Sequence, residues 1–299
     1  MLPLPPAVET ALADLLPRAL AEDVGRGDVT TEATIPAGTP ARARFLVKED
    51  GVVAGLAVAE RVFDAVDPDL VVAWSAADGD RVGAGTVIGT VEGRARSILV
   101  AERLALNLLQ RMGGIATASH RMAEAARPAT VLDTRKTAPG LRELDKWAVV
   151  LGGAANHRIR LDDMVLVKDN HIAAAGGLRE AAEAVDRHLK THEVDVPVEI
   201  ETRTLDEVRE ALAALADGIR IDRLLLDNMA RRTDAGLDVS MLREAVALVD
   251  GQTATEASGN VTLETVGAIA ATGVDYISSG ALTHSVRALD VSLKIELGA

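Results

Sequence analysis

The chain contains no cysteine. Disulfides, thiolate zinc sites, iron–sulfur clusters and a cysteine nucleophile are thereby excluded. Aromatic residues are scarce, with two Trp, two Phe and one Tyr among 299 residues, which leaves little to stack on nucleic-acid bases. Cations are outnumbered, 32 Lys and Arg against 45 Asp and Glu, for a formal net charge of −13. A nucleic-acid binder ordinarily shows a basic surface. No apolar run reaches the ~18–20 residues of a membrane-spanning helix. The opening MLPLPPAVETALADLLP lacks the basic start and small-residue cleavage site of a secretory signal. These absences predict a cytoplasmic protein without nucleic-acid or membrane partners. The motif inventory is equally short: there is no HExxH, no GxxxxGK phosphate loop, and no metal-ligand spacing among the six histidines. VGAGTVIG (82–89) misses the dinucleotide fingerprint and reads as turns.

What is present is a globular composition, 48% hydrophobic and 26% charged, in a length that suits one large domain or two ordinary ones. Residues 41–63 carry two candidate strands, or a strand and a helix. Residues 69–93 alternate Val, Ile and Trp with Asp-Gly and Gly turns, as hairpins do. Residues 97–126 place Leu and Ala at helical spacing, with Gly113-Gly114 either breaking the helix or admitting a close neighbour. From residue 129 six short apolar runs recur, ATVLDTR, DMVLVKDN, VPVEIETR, RLLLDN, TATEASG and DYISSGA, with helical stretches between them. Such βα repeats predict a parallel sheet with helices outside, able to curl into a barrel. The last segment, 289–299, reads as a strand that returns to the first domain. The expected fold is α/β, with an N-terminal domain over 1–112, residues 286–299 returning to it, and a barrel over 113–285.

Each run ends in a group suited to chemistry: Arg135-Lys136, Lys168, Glu201, Asp227, Ser258-Gly259-Asn260 and Ser279-Gly280-Ala281. In α/β barrels the C-terminal strand ends form one rim, and the active site lies there. His157 and Arg158 add to the cations of that rim. Arginine grips carboxylate or phosphate through two parallel hydrogen bonds, so the set predicts a small ligand with several negative charges. The glycine-bearing last two ends suit a phosphate. Glu201 and Asp227 suit sugar hydroxyls, a developing cation or a divalent metal. Blander readings exist: Glu201 pairing with Arg203, Lys168 with Asp169, and His284 as a packing residue.

The motifs carry a resemblance. EDVGRGDVTTEATIP (22–36), AERLALNLLQRMGGIAT (101–117), DTRKTAPGLR (133–142), NHRIRLDDMVLVKDNHI (156–172), LLLDN (224–228), EASGNVT (256–262) and GALTHSVRALDVSLKIE (280–296) are similar to the quinolinate phosphoribosyltransferases, in family order across nearly the whole chain. One departure is GGAANHR (152–158), where the family often has a third glycine. The resemblance implies an N-terminal open α/β sandwich beside an incomplete α/β barrel, working as a homodimer. It implies transfer of the phosphoribosyl group of 5-phosphoribosyl-1-pyrophosphate to quinolinate with loss of carbon dioxide, giving nicotinate mononucleotide for NAD synthesis, with Mg2+ required. By position it assigns Arg135, Lys136, His157 and Arg158 to the quinolinate carboxylates, and Thr134 to substrate binding. Lys168 would lie between the two substrates, and Glu201 and Asp227 would face ribose and magnesium, directly or through water. Ser258, Gly259, Asn260, Ser279, Gly280 and Ala281 would hold the 5-phosphate with His284 nearby, and Arg103 would reach into the partner's site. The nearest rivals are a barrel aldolase with Lys168 as a Schiff-base lysine, a nicotinate-using cousin, and a metabolite-binding dimer without turnover.

Overall fold

Alternation decides the first sheet. In PARARFLV the side chains of Ala41, Ala43, Phe45 and Val47 are buried and those of Arg42 and Arg44 exposed, the period-2 signature of a strand with one face on a core. In the computed structural model of the protein, which describes residues 3–234 and 236–297, the chain runs α1 (Pro6–Val24), α2 (Val29–Thr34), β1 (Pro40–Val47), β2 (Gly51–Val52), α3 (Leu56–Val66), β3 (Val71–Trp74), β4 (Arg81–Val82), β5 (Val87–Arg94) and α4 (Ala95–Ala125). It continues through β6 (Thr130–Leu132), α5 (Arg142–Leu151), β7 (Val165–Val167), α6 (Asp169–Ala175), α7 (Leu178–His192), β8 (Val198–Thr202) and α8 (Leu205–Ala216). The remainder is β9 (Arg223–Asp227), β10 (Arg231–Thr233), β11 (Gly236–Asp238), α9 (Ser240–Val249), β12 (Ala254–Ser258), α10 (Val266–Ala270), β13 (Tyr276–Ser278), α11 (Ala281–His284) and β14 (Val291–Leu297).

The chain forms two compact units. The first comprises residues 3–120, 137–153 and 282–297 of the described chain, the second 121–136 and 154–281. The parting thus lies within α4 at His120/Arg121, where the sequence places it at 112/113, and the return to the first unit starts at Leu282. Of the returning segment, residues 298 and 299 lie outside the described residues, as do residues 1 and 2.

The first unit holds an antiparallel sheet in the order β14-β1-β5-β3. β14 pairs with β1 from Ala41 opposite Leu297 to Val47 opposite Val291. Phe45 anchors the core beneath it, edge-on to Phe63 with ring centres 5.8 Å apart and 4.7 Å from Trp74. The ambiguous stretch 41–63 resolves into strand, two-residue strand and helix. VGAGTVIG falls in the β4–β5 connection and the start of β5. α4 runs unbroken through Gly113-Gly114 because those glycines admit a neighbour: a Cβ on Gly114 would stand 2.2 Å from the Arg287 carbonyl oxygen.

The second unit holds six parallel strands in the order β6-β13-β12-β9-β8-β7. Consecutive strands are neighbours except that β6, the first, adjoins β13, the last. That order is a barrel opened at the seam between β6 and β7, where Ala155 makes a bridge to Leu132. All six apolar runs are strands. β8 is buried at every position, as a parallel strand covered on both faces must be. α8 starts on a reciprocal cap between Thr204 and Glu207, which ends β8 promptly and leaves Glu201 at the strand's C-terminal end. Helix α6 and the β10–β11 ribbon were not foreseen from periodicity; both are too short for a period to emerge.

Candidate active site

The C-terminal strand ends of the second unit enclose a cavity of about 320 Å³ lined by Thr134, Arg135, Lys136, His157, Arg158, Leu166, Lys168, Leu225, Glu256, Ser258 and Ser278. Seven of the residues singled out in the sequence therefore meet in one place although they span more than a hundred positions. Thr134 to Lys136 follow β6, Lys168 follows β7, and Ser258 ends β12. The cations crowd one another. Burial, and then the neighbouring Arg135, depress the Arg158 guanidinium below its ordinary value. A cationic pocket with no anion in it is electrostatically costly, and a polyanionic ligand relieves that cost.

Beneath the cations lies a layer that the sequence reading missed. His157 Nε2 is 2.9 Å from Glu199 Oε2 and 3.5 Å from Glu256 Oε2. Arg223 donates to Glu256 Oε2 at 2.7 Å and stacks on the Tyr276 ring at 4.1 Å. The His157 backbone N–H donates to Asp133 Oδ1 at 2.8 Å. Burial raises the Glu256 carboxyl to about 7, helped by the adjacent Glu199, and burial likewise raises Glu199. Two buried carboxylates this close do not both ionise easily. The signal was legible in part: Glu199 interrupts the apolar run VPVEIE, and it shares a strand face with Glu201 two residues on. Glu256 relates to Ser258 in the same way.

A second acidic group stands beside the pocket. Arg203 lies 2.9 Å from Asp169, 3.1 Å from Glu201 Oε1 and 3.4 Å from Asp227 Oδ2. The Glu201–Arg203 pairing of the blander reading is thus real, but Glu201 is buried, and its Oε1 lies near Arg203 without hydrogen-bond geometry. Burial first, then Asp227, push the Glu201 carboxyl up. Asp169 pairs with Arg203. Asp227, Asn228 and Asn260 share a second concavity with Arg203, Arg231 and Arg232. Gly259 is required there: it has φ +92°, and a Cβ would stand 2.2 Å from Asn228 Oδ1. Ser279 is buried, its N–H donating to the Leu132 carbonyl at 2.9 Å, and Gly280 and Ala281 lead into α11. Arg103 is exposed on α4 and His284 on α11, both in the first unit; His284 is not a packing residue.

Residues 28–113 match the N-terminal domain of quinolinate phosphoribosyl transferase and residues 115–294 its C-terminal domain. The chain belongs to the quinolinate phosphoribosyltransferase family. Within it, the chain is 56% identical over 296 residues to the mitochondrial quinolinate phosphoribosyltransferase [decarboxylating] 2 of Nicotiana glauca, covering 98% of this chain and 84% of that protein. It is 57% identical over 281 residues to the chloroplastic nicotinate-nucleotide pyrophosphorylase [carboxylating] of Arabidopsis thaliana, covering 93% and 81%. NadC from Streptococcus pyogenes superposes with a TM-score of 0.89 at 36% identity over the full length of both chains. The family match accounts for the two-part, mixed α/β architecture. Among the described residues no helix is long and apolar enough to cross a membrane.

Proposed function

We propose that the protein transfers the phosphoribosyl group of 5-phosphoribosyl-1-pyrophosphate to quinolinate with decarboxylation, releasing nicotinate mononucleotide, pyrophosphate and carbon dioxide. The observation that carries this reading, beside family membership, is the convergence of Arg135, Lys136, Arg158 and Lys168 on one cavity. Paired guanidinium groups suit two carboxylates on a flat ring.

The chemistry asks for little covalent help. The ring nitrogen of quinolinate is itself the nucleophile. Its bond to C1 of ribose forms as the bond from C1 to pyrophosphate breaks, and positive charge develops at that carbon. Glu201 and Asp227, at the ends of neighbouring strands, are placed to offset it. The ring nitrogen becomes cationic on bond formation. When the adjacent carboxylate departs as carbon dioxide, the electron pair left on the ring carbon is held by that cation until a proton is taken up. Arg135 and Arg158 orient the ring, and Lys168 stands where the two substrates meet, so the protein's work is positioning and electrostatics. Ser258, Gly259, Asn260, Ser279, Gly280 and Ala281 belong in this reading to the 5-phosphate, with His284.

Magnesium is part of the reading. Hard oxygen donors suit it, and Asp169, Glu201 and Asp227 supply them around Arg203, with Glu201 Oε1 buried and without a hydrogen bond. Glu201 and Asp227 would hold the ion, directly or through water, once Arg203 gives way, and the ion would neutralise the departing pyrophosphate. The reading includes a homodimer in which Arg103, exposed on α4, completes the partner's site, and a cytoplasmic location, which cell fractionation tests. The deciding experiment is product analysis after incubation with quinolinate, 5-phosphoribosyl-1-pyrophosphate and Mg2+. Nicotinate mononucleotide and carbon dioxide in equal amounts support the reading; their absence, with the protein folded, refutes it.

A further inference from the structure

We infer that His188 and His192, on the outer face of α7, form a binding site for a divalent transition-metal ion that prefers imidazole, such as nickel, copper or zinc, and that the ion clips the last turn of that helix. The inference goes beyond the proposed reaction and does not depend on it.

α7 buries one side only. Leu178, Ala181, Ala182 and Leu189 are buried, and His188 and His192 are exposed. Residues four apart on a helix are neighbours across one turn. Contrary to the sequence reading, one pair of the six histidines therefore does have a metal-ligand spacing, the one that sets two imidazoles side by side on a helix. The structure brings the rings together, with centres 4.2 Å apart and planes inclined by 32°. Imidazole nitrogen suits nickel, copper and zinc, whereas magnesium takes oxygen ligands.

Hydrogen bonding sets what the second ring offers. His192 Nδ1 lies 2.9 Å from the backbone carbonyl oxygen of His188. A carbonyl only accepts, so Nδ1 carries the hydrogen and donates it, and Nε2 keeps its lone pair. A metal-ligating histidine ordinarily makes such a bond through its other nitrogen, because the bond fixes the tautomer and the ring orientation and raises the basicity of the ligand. The His188 ring is exposed, so an ion arriving from solvent reaches both rings.

The surroundings suit a cation. Lys190 is engaged by Asp186 at 2.7 Å, and Arg187 lies 3.9 Å from Glu183. His192 is the last residue of the helix, followed by Glu193 in the left-handed conformation, and the C-terminal end of a helix carries partial negative charge. Helix ends are the first part of a helix to open, and an ion held by successive turns opposes that opening. The pair stands away from the catalytic rim. α7 ends at His192 and β8 begins at Val198, which places the pair toward the N-terminal ends of the barrel strands, opposite the cavity mouth.

The test is metal binding by the full chain without a histidine tag. Isothermal titration with Ni2+ is expected to show a site that H188Q and H192Q each weaken by tenfold or more, since even an outer partner of a metal ligand is worth ~10–100-fold in affinity. Both substitutions fall at exposed positions and glutamine is a good helix former, so both variants are expected to fold. Cu2+ added below saturation should give an electron paramagnetic resonance spectrum with two imidazole nitrogens in the wild type. Ni2+ should raise the midpoint of thermal unfolding of the wild type more than that of H192Q. Turnover of quinolinate with Mg2+ should stay within about twofold in both variants, as for sites that do not couple. A Ni2+ affinity that neither substitution changes, or that only one of them changes, overturns the inference. So does a Cu2+ spectrum with a single imidazole nitrogen, or binding at the pair weaker than about 1 mM. An equal rise in the unfolding midpoint of wild type and H192Q overturns the clip.

Discussion

Arg135 and Arg158 share a partly buried pocket, and their mutual repulsion is tolerable because a ligand is meant to neutralise it. Replacing Arg135 with alanine deletes one half of a two-point carboxylate grip. We expect kcat/KM for quinolinate to fall by ~10²-fold or more, measured by steady-state kinetics, with thermal stability unchanged or improved because the repulsion is relieved. Glu256 makes a different prediction. Its carboxyl, raised to about 7 by burial and by Glu199, keeps a proton in the folded state that the unfolded chain gives up near the ordinary glutamate value of 4.5. Between those two values the native state binds more protons than the unfolded one, so this group's contribution to stability falls as pH rises, and the loss is complete above about 7. E256Q has nothing to titrate, and urea titrations at pH 5 and pH 8 should differ less in E256Q than in wild type. An unchanged difference would mean that Glu256 is not the group responsible.

Helix α4 meets its neighbours through small side chains. A Cβ at Gly114 would collide with the Arg287 carbonyl at 2.2 Å and with the Ala288 Cα at 3.0 Å, and backbone has no rotamer to escape by. G114A should therefore cost about 1–3 kcal/mol in chemical denaturation, despite alanine's better helix propensity. Elsewhere in the first unit, Asp145 on α5 is fully buried and bonded at both oxygens by Arg111, at 2.8 and 2.7 Å. Removing one partner of a buried pair strands the other, and R111M should cost about 3–5 kcal/mol by the same measurement. At this scale the strands of the second unit behave as one instrument. Residues at or next to the C-terminal ends of β8, β9 and β12, namely Glu201, Asp227 and Ser258, reach the same rim because the strands are parallel, with Leu225 beside Glu201 and Ser258 beside Asp227.

For the whole molecule the proposed dimer makes the sharpest prediction. If Arg103 serves the partner's site, R103A and R135A subunits are each inactive alone, but a mixed dimer regains one site with both arginines intact. Mixing the two variants under conditions of subunit exchange should restore activity toward about a quarter of wild type, the statistical yield when half the dimers are mixed and each carries one working site. Stable mixed dimers without activity would show that each site is complete within its own subunit. The overall charge of −13 sets the background for such a site: an acidic molecule attracts anions only where folding gathers its minority of cations.

Local pattern was enough for much of this. The six apolar runs, their turn residues and the intervening helical periods named the barrel strands, because a strand buried on both faces has to be apolar and short. The groups at their C-terminal ends were legible for the same reason: a charge at the boundary of such a run is exposed to the rim. The stretch 41–63 stayed open between two strands and a strand with a helix, and the alternating burial of Ala41, Ala43, Phe45 and Val47 settled β1 as a half-buried strand. Three-dimensional closure decided the rest. That β6 lies beside β13, leaving the seam at β7, is a pairing between segments far apart in the chain, and no periodicity encodes it. The layer of Glu199, Glu256 and Arg223 beneath His157 was hidden because each of those residues, taken singly, is an ordinary charge within a strand. Only the stacking of parallel strands brings their side chains within hydrogen-bonding distance.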